Sequence, residues 1–314
     1  IRVYSDLSNL SWIIGFYNSN LNELDTAKGY LFGGDATDLN SKFLINNNAL
    51  YAQISLNYLL NFTSSINLRV EQNKTIYNSQ GSNWGYPIAE VSDTINQKFL
   101  GFRFSTTYSL NKNLNIYSVL SRGYKIGGIN QNPKLSYSNR FFDPEYNTNF
   151  EIGSKFRSNK FTLNITMFNM SRTDQQVQIS SQQESGNPNS FTFYTSNATS
   201  GWNRGMEIDT KFFLNENINF YASLGLLKTY INEFIFAINE TSSDTLGNRE
   251  QAMSPPYNIS LGINYLNDTG FFANLEFTKK DSYYFSDSHD QKNDSYQIIN
   301  SNIGIKKKRF SFSI

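Results

Sequence analysis

The 314 residues include no cysteine, and 27 Lys and Arg face 26 Asp and Glu for a net charge of +1. Disulfides and thiolate metal sites are therefore excluded, and the lack of a domain-wide basic field argues against a nucleic-acid partner. Charged residues make up only 17% and aromatics 16%, and mean hydropathy is −0.48 because Asn, Ser and Thr fill the remaining positions, a mixture that suits alternating strands better than helices.

In chain order, Ile1-Arg2-Val3 and Leu10 to Tyr17 read as two strands joined by a polar turn, followed by an Asn- and Asp-containing loop through about Asn47. Ala52, Ile54, Leu56 and Tyr58 alternate against Gln53, Ser55 and Asn57; after a turn near Asn61, Ile66, Leu68 and Val70 alternate against Asn67, Arg69 and Glu71. A loop holding Trp84, Tyr86 and Pro87 leads into a hairpin from Gln97 to Asn130, whose turn is Asn111-Lys112-Asn113. In it Leu100, Phe102, Phe104, Tyr108 and Leu110 share one face, and Arg103, Ser105, Thr107 and Ser109 the other, the period of two expected of a strand between unlike environments.

A loop from Gly127 to Pro144 carries Tyr137, Arg140, Phe141 and Phe142. Phe150 to Phe156 and Phe161 to Met167 then alternate about a turn at Arg157 to Lys160. After a Gln/Ser/Asn loop, Met206 to Phe212 and Ile218 to Leu226 flank Asn215-Glu216-Asn217. Tyr257 to Tyr265 pairs with Phe271 to Phe277 through Asn267-Asp268-Thr269, and Ile299 to Ile305 with Phe310 to Ile314 through Lys306 to Lys308.

Short polar turns thus gather at one end of the strands and long aromatic-containing segments at the other. This asymmetry predicts an all-β, antiparallel up-and-down transmembrane β-barrel, here a partial barrel of roughly 14 strands with short periplasmic turns and long extracellular loops. A soluble β-sandwich with its apolar face turned inward shares the periodicity. Lipid outside is favoured because Arg103, Glu151, Lys155, Glu207, Asp209 and Lys211 sit mid-strand on the polar face, as a wet lumen allows. Tyr257, Tyr265, Tyr283, Tyr284 and Phe285 near strand ends suggest interfacial girdles.

Tyr117 to Asn130 (YSVLSRGYKIGGIN), Phe141 to Phe156 (FFDPEYNTNFEIGSKF) and Asn197 to Asp209 (NATSGWNRGMEID), with the spacing of the other hairpins, resemble the TonB-dependent outer-membrane receptors of Gram-negative bacteria. The resemblance implies a plug domain with a short TonB-engaging box, and a barrel of about 22 strands. By that comparison residues 1–314 are a later part of the barrel domain, lacking the plug, the earliest strands and the last strand. Open sheet edges in hydrocarbon cost several kcal/mol per unpaired group, so such a piece is not expected to be a complete membrane protein.

The same resemblance implies TonB-energised uptake of a scarce nutrient, foremost an iron–siderophore complex. Its partners are then outer-membrane lipid, the TonB complex through a plug absent from this chain, and the small ligand. Ligand capture falls on Trp84, Tyr86, Tyr137, Arg140, Phe141 and Phe142 in loops and on Arg103, Glu207 and Lys211 in the lumen, since aromatics supply flat contact area and Arg bidentate recognition of carboxylates. No enzyme activity, cofactor or metal site is expected: the lone histidine, His289 in Asp287-Ser288-His289-Asp290, reads as a solvated loop tip, because a metal needs several convergent ligands. A passive porin or a translocator barrel is the alternative, and a soluble β-sheet binding protein the third reading.

Overall fold

The computed structural model describes residues 1–59, 61–133, 135–182, 191–237, 243–287, 289–307 and 310–313. Fourteen wall strands follow one another in sequence order in one sheet: Arg2–Asp6, Leu10–Leu31, Ala36–Leu59, Phe62–Asn83, Val91–Asn111, Leu114–Lys125, Glu145–Arg157, Phe161–Gln182, Phe191–Phe213, Ile218–Ile231, Tyr257–Leu266, Phe271–Lys280, Tyr296–Lys307 and Phe310–Ser313. Each pairs antiparallel with the next, and the two-residue strand Tyr86–Pro87 pairs with Phe62–Asn83. Among the described residues the two edge strands, Arg2–Asp6 and Phe310–Ser313, are not paired with each other, so the wall is an open, partial barrel.

The tight turns share a chemical device. Asn111 Oδ1 accepts from the backbone N–H of Asn113 at 2.8 Å and of Leu114 at 3.1 Å, and Asn215 Oδ1 does the same for Asn217 and Ile218 at 2.9 and 2.8 Å. Asn267 Oδ1 accepts from Phe271 N at 3.0 Å. An Asn side chain that satisfies amides two to four residues ahead replaces ladder bonds which a reversing chain cannot make.

One face of the sheet is apolar and uncovered. Ile66, Leu68 and Val70 lie on it, in register with Phe104, Phe102 and Leu100 of the next strand, and Phe104 pairs onward with Leu120 and that with Phe150. The opposite face is polar and is the one the loops fold over, which makes it the inner face: Glu71, Asn73, Thr75, Tyr77 and Ser79 alternate as buried residues along one strand. Phe102 and Phe104 therefore face outward and Arg103 inward, as the alternation predicts. Close strand approach on the inner face needs glycine at three places opposite a tyrosine: a Cβ on Gly15 would meet the Tyr51 ring at 2.3 Å, one on Gly153 the Tyr117 ring at 2.6 Å, and one on Gly262 the Tyr221 ring at 2.2 Å. In each case the tyrosine is the direct cross-strand partner and fills the space the missing side chain leaves.

Three sequence expectations are corrected. The predicted loop through Asn47 is instead the upper halves of Leu10–Leu31 and Ala36–Leu59, which run on to a turn at Phe32–Asp35. Above the apolar band both faces are polar, so alternation vanishes while pairing persists; side-chain amides bridge the strands, as in Asn18 to Asn48 at 2.8 Å and Asn73 to Asn47 at 2.6 Å. The Gly127 to Pro144 loop contains a short ladder, Gly128–Ile129 with Phe141–Phe142, and a helical turn at Tyr137–Arg140. Tyr283, Tyr284 and Phe285 are not wall girdle residues: they lie in the Tyr283–Ser286 strand of a separate loop hairpin with His289–Asn293. Arg249 Cζ sits 4.0 Å from the Tyr284 ring centroid, so loop packing holds that ring. Of the final hairpin, Lys308, Arg309 and Ile314 lie outside the described residues, as do Ser288 and most of the Gln/Ser/Asn loop, 183–190.

Candidate functional site

The loops at the end opposite the tight turns form a roof over the inner face. The segment from Ile126 to Asp143 crosses it as a strap. At one side Gln176 Nε2 donates to the carbonyls of Ile126 and Asp143 at 2.9 and 3.0 Å, Asn197 brackets Asp143 with bonds of 2.7 and 3.0 Å, and Asn130 exchanges two 2.8 Å bonds with the Thr195 backbone. At the other side Asn132 Nδ2 reaches Asp35 Oδ2 at 3.1 Å, and Arg140 Nη1 lies 3.5 Å from Asp93 Oδ2. Amide side chains suit such strapping, because each can satisfy a carbonyl and an N–H together.

Two apolar clusters seat the roof. Tyr77, Val91 and Ile129 are buried against Phe43, Ile95 and Phe141. Val177, Ile179, Tyr194, Ala198 and Ile231 bury Phe234 and Phe236 of an inward-folded hairpin, Phe234–Ala237 with Ser243–Leu246, and the strap's Leu135 packs on them. The wall changes character there at Asp174, whose φ of 52° breaks the alternation, and Gln175, Gln176 and Val177 above it are all buried.

Of the residues expected to capture ligand, Trp84 and Tyr86 are each 78% exposed, and Tyr137 is 71% exposed. Trp84 is at the tip of a turn with φ 49°, its N–H bonded to Thr37 Oγ1 at 2.8 Å. The other loop residues are spent on the roof itself: Arg140 on Asp93, Phe141 in the Tyr77 cluster with its ring 5.2 Å from that of Tyr137, and Phe142 beside Gly128. On the inner wall, Arg103 is exposed opposite Asn67 and Ser121. Glu207 and Lys211 lie on Phe191–Phe213 opposite Thr166 and Thr162, four strand spacings from Arg103, on the order of 19 Å along the sheet. The structure thus separates Arg103 from the Glu207 and Lys211 pair. His289 is exposed, and its Nδ1 accepts from Gln291 N at 3.2 Å.

Residue alternation alone missed a tighter inner cluster. Arg69 Nε donates to Glu71 Oε2 at 2.7 Å, Tyr124 Oη donates to the same oxygen at 2.8 Å, and the Tyr124 ring stacks on Phe99 at 4.5 Å and 11°. Arg69 Cζ also lies 5.5 Å from the Tyr17 centroid. Four wall strands contribute, so only the register could assemble it; the legible signal was an Arg and a Glu spaced i, i+2 on a polar face. Nearer the tight turns, Tyr117 Oη lies 2.9 Å from Thr166 Oγ1, and Tyr221 Oη donates to Glu276 Oε2 at 2.6 Å. The inner face is therefore hydroxyl- and carboxylate-rich with interspersed cations, a surface that suits water and polar groups rather than lipid.

A family model described as TonB dependent receptor-like, beta-barrel, matches residues 3–314. The chain belongs to the TonB-dependent receptor family. The ferric yersiniabactin uptake receptor FyuA from Yersinia pestis is similar in structure at TM-score 0.79 and 18% identity, over 99% of this chain and 46% of that one. The copper transporter OprC matches at 0.74 and 12% over 98% and 48%, and the siderophore receptor PiuA from Acinetobacter baumannii at 0.70 and 13% over 98% and 48%. At these identities the likeness concerns the fold of the TonB-dependent receptor barrel, of which the chain spans about half the length of each solved receptor. The family is one of outer-membrane receptors and transporters, which makes the bare apolar face the lipid-facing one.

Proposed function

We propose that residues 1–314 are a later part of the barrel of an outer-membrane receptor whose plug and TonB-engaging segment lie elsewhere in the full protein, and that the receptor imports an iron–siderophore complex. The observation that carries this reading is the roofed, polar inner face in a barrel of this family: a strap and an inward-folded hairpin narrow the mouth and leave Trp84, Tyr86 and Tyr137 projecting outward. Exposed aromatics at a rim offer flat contact to bulky aromatic or amphipathic ligands at low entropic cost. Below the roof, Arg103, Lys211 and Glu207 line the route, with Arg69 as a further cation. A copper transporter and siderophore receptors share the wall, so the substrate is chosen by these rim and lumen side chains.

The test is radioactive-iron uptake by the full-length protein in a Gram-negative strain lacking its own siderophore receptors, offered phenolate, catecholate and citrate iron complexes. Uptake of one class that disappears without TonB is expected, with Trp84→Ala, Tyr86→Ala and Tyr137→Ala raising the half-saturating concentration. Diffusive entry independent of TonB would overturn the reading in favour of a passive pore.

A further inference from the structure

The outer face carries a charge pattern that transport does not use. Above the apolar band its positions hold Lys74, Lys98, Arg122, Arg204, Lys228 and Lys279, while among the described wall residues the carboxylate of that parity is Asp38, paired with Lys28 near the strand tips and six strands away from Arg204. Glu151, Glu207, Asp209 and Glu276, on the same strands or their neighbours, all take the inner parity.

Within this ring, Arg204 and Lys228 are direct cross-strand partners, both exposed. Like charges directly opposite destabilise a strand pair, so the arrangement lacks a counter-charge in the protein alone. Arg204 is also held in place: its guanidinium lies 4.5 Å over the Trp202 ring, its Nε donates to Asn169 Oδ1 at 2.6 Å, and Trp202 stacks on Tyr230 at 5.9 Å. With Nε spent on Asn169, the guanidinium keeps further N–H donors, and the Lys228 ammonium belongs to its direct cross-strand partner on the same face, a pair of cations suited to phosphate oxygens. One step toward the tight turns the next outer pair is Met206 with Leu226, where the apolar band resumes.

We propose that Arg204 and Lys228 form a binding site for the phosphate group of an anionic membrane lipid, whose acyl chains lie on the apolar wall beside Met206 and Leu226. The vertical order, cations above and hydrocarbon below, fits a lipid and gives free phosphate no second anchor. Aromatic rings at the same level suit the interface between headgroups and chains. The inference rests on the outer face meeting a bilayer.

The full-length protein is first inserted into phosphatidylcholine vesicles; failure to insert would overturn the membrane reading on which the site depends. Binding of phosphatidic acid is then measured by native mass spectrometry, with phosphatidylcholine and inorganic phosphate as the other arms. Each of Arg204→Gln and Lys228→Gln should weaken retention of phosphatidic acid about 5-fold, the worth of one interfacial cation, and the exchange R204K/K228R should keep most of it. In phosphatidylcholine alone, Lys228→Gln should unfold at a temperature no lower than the parent, since a like-charge contact is relieved. Wild-type retention by the double Gln variant, equal retention of phosphatidylcholine, full competition by inorganic phosphate, or destabilisation by Lys228→Gln without anionic lipid would each overturn the proposal.

Discussion

Arg172 Nη2 lies 2.6 Å from Glu145 Oε1, and this ion pair ties the foot of the strap to the wall. Arg172 Nη1 donates onward to Gln251 Oε1 at 2.9 Å, while Gln251 Nε2 reaches Asn203 Oδ1 at 2.9 Å and Gln176 N donates to Glu145 Oε2 at 3.0 Å. The network joins strap, wall and the segment leading into Tyr257–Leu266. Replacing Arg172 with Met leaves a buried carboxylate with one amide donor, and should cost about 3 kcal/mol in urea unfolding followed by heat-modifiable gel mobility. E145Q/R172M should recover much of that loss, because the orphaned charge is gone; a double variant as weak as Arg172→Met would show that packing, not charge, is at stake.

Gly262→Ala places a methyl inside the Tyr221 ring. The strands must part or the ring must leave Glu276, at about 1–3 kcal/mol. Adding Tyr221→Ala should make the glycine change nearly silent, a coupling readable from a double-mutant cycle on urea midpoints.

The Asn111 turn predicts a smaller effect. Asn111→Ala removes two exposed side-chain-to-backbone bonds and should lower stability by about 1 kcal/mol, with Asn111→Asp, which keeps the acceptor, close to the parent. The same comparison at Asn215 should give the same order, since its two bonds are equivalent.

Tyr77 sits above the apolar band, and burial pushes its hydroxyl above the ordinary tyrosine range, against the opposing pull of the Arg140 charge. The folded state thus holds the phenolic proton more tightly than the unfolded chain, whose tyrosines titrate near about 10. The stability this contributes is present below that pH and is lost as pH rises through the higher folded value. Tyr77→Phe should flatten the alkaline fall in unfolding temperature. At neutral pH it should be neutral or stabilising by up to about 1 kcal/mol, because the hydroxyl finds no hydrogen-bond partner among the described residues.

Residue types alone carried the strand parity of Phe102, Arg103 and Phe104, the turns at Asn111 and Asn215, and the up-and-down order. Each depends on neighbours within a few positions. The same reasoning stopped Leu10–Tyr17 short, because the Asn-rich continuation has no apolar face to alternate and owes its order to Asn48 and Asn47 on other strands. The rim aromatics Trp84, Tyr86 and Tyr137 could be named from the chain. That Arg140, Phe141 and Phe142 serve the roof could not, since Asp93 and the Tyr77 cluster lie far off in sequence.

The period-two pattern and the unequal loops thus determined by themselves a barrel wall with a polar inside, because burial against lipid or water acts residue by residue along a strand. The tertiary structure alone decided which charges meet. Glu71 joins Arg69 to Tyr124, Arg172 holds Glu145, and Arg204 is set against Lys228, since cross-strand register and loop closure are sums over long-range pairings that no local stretch contains.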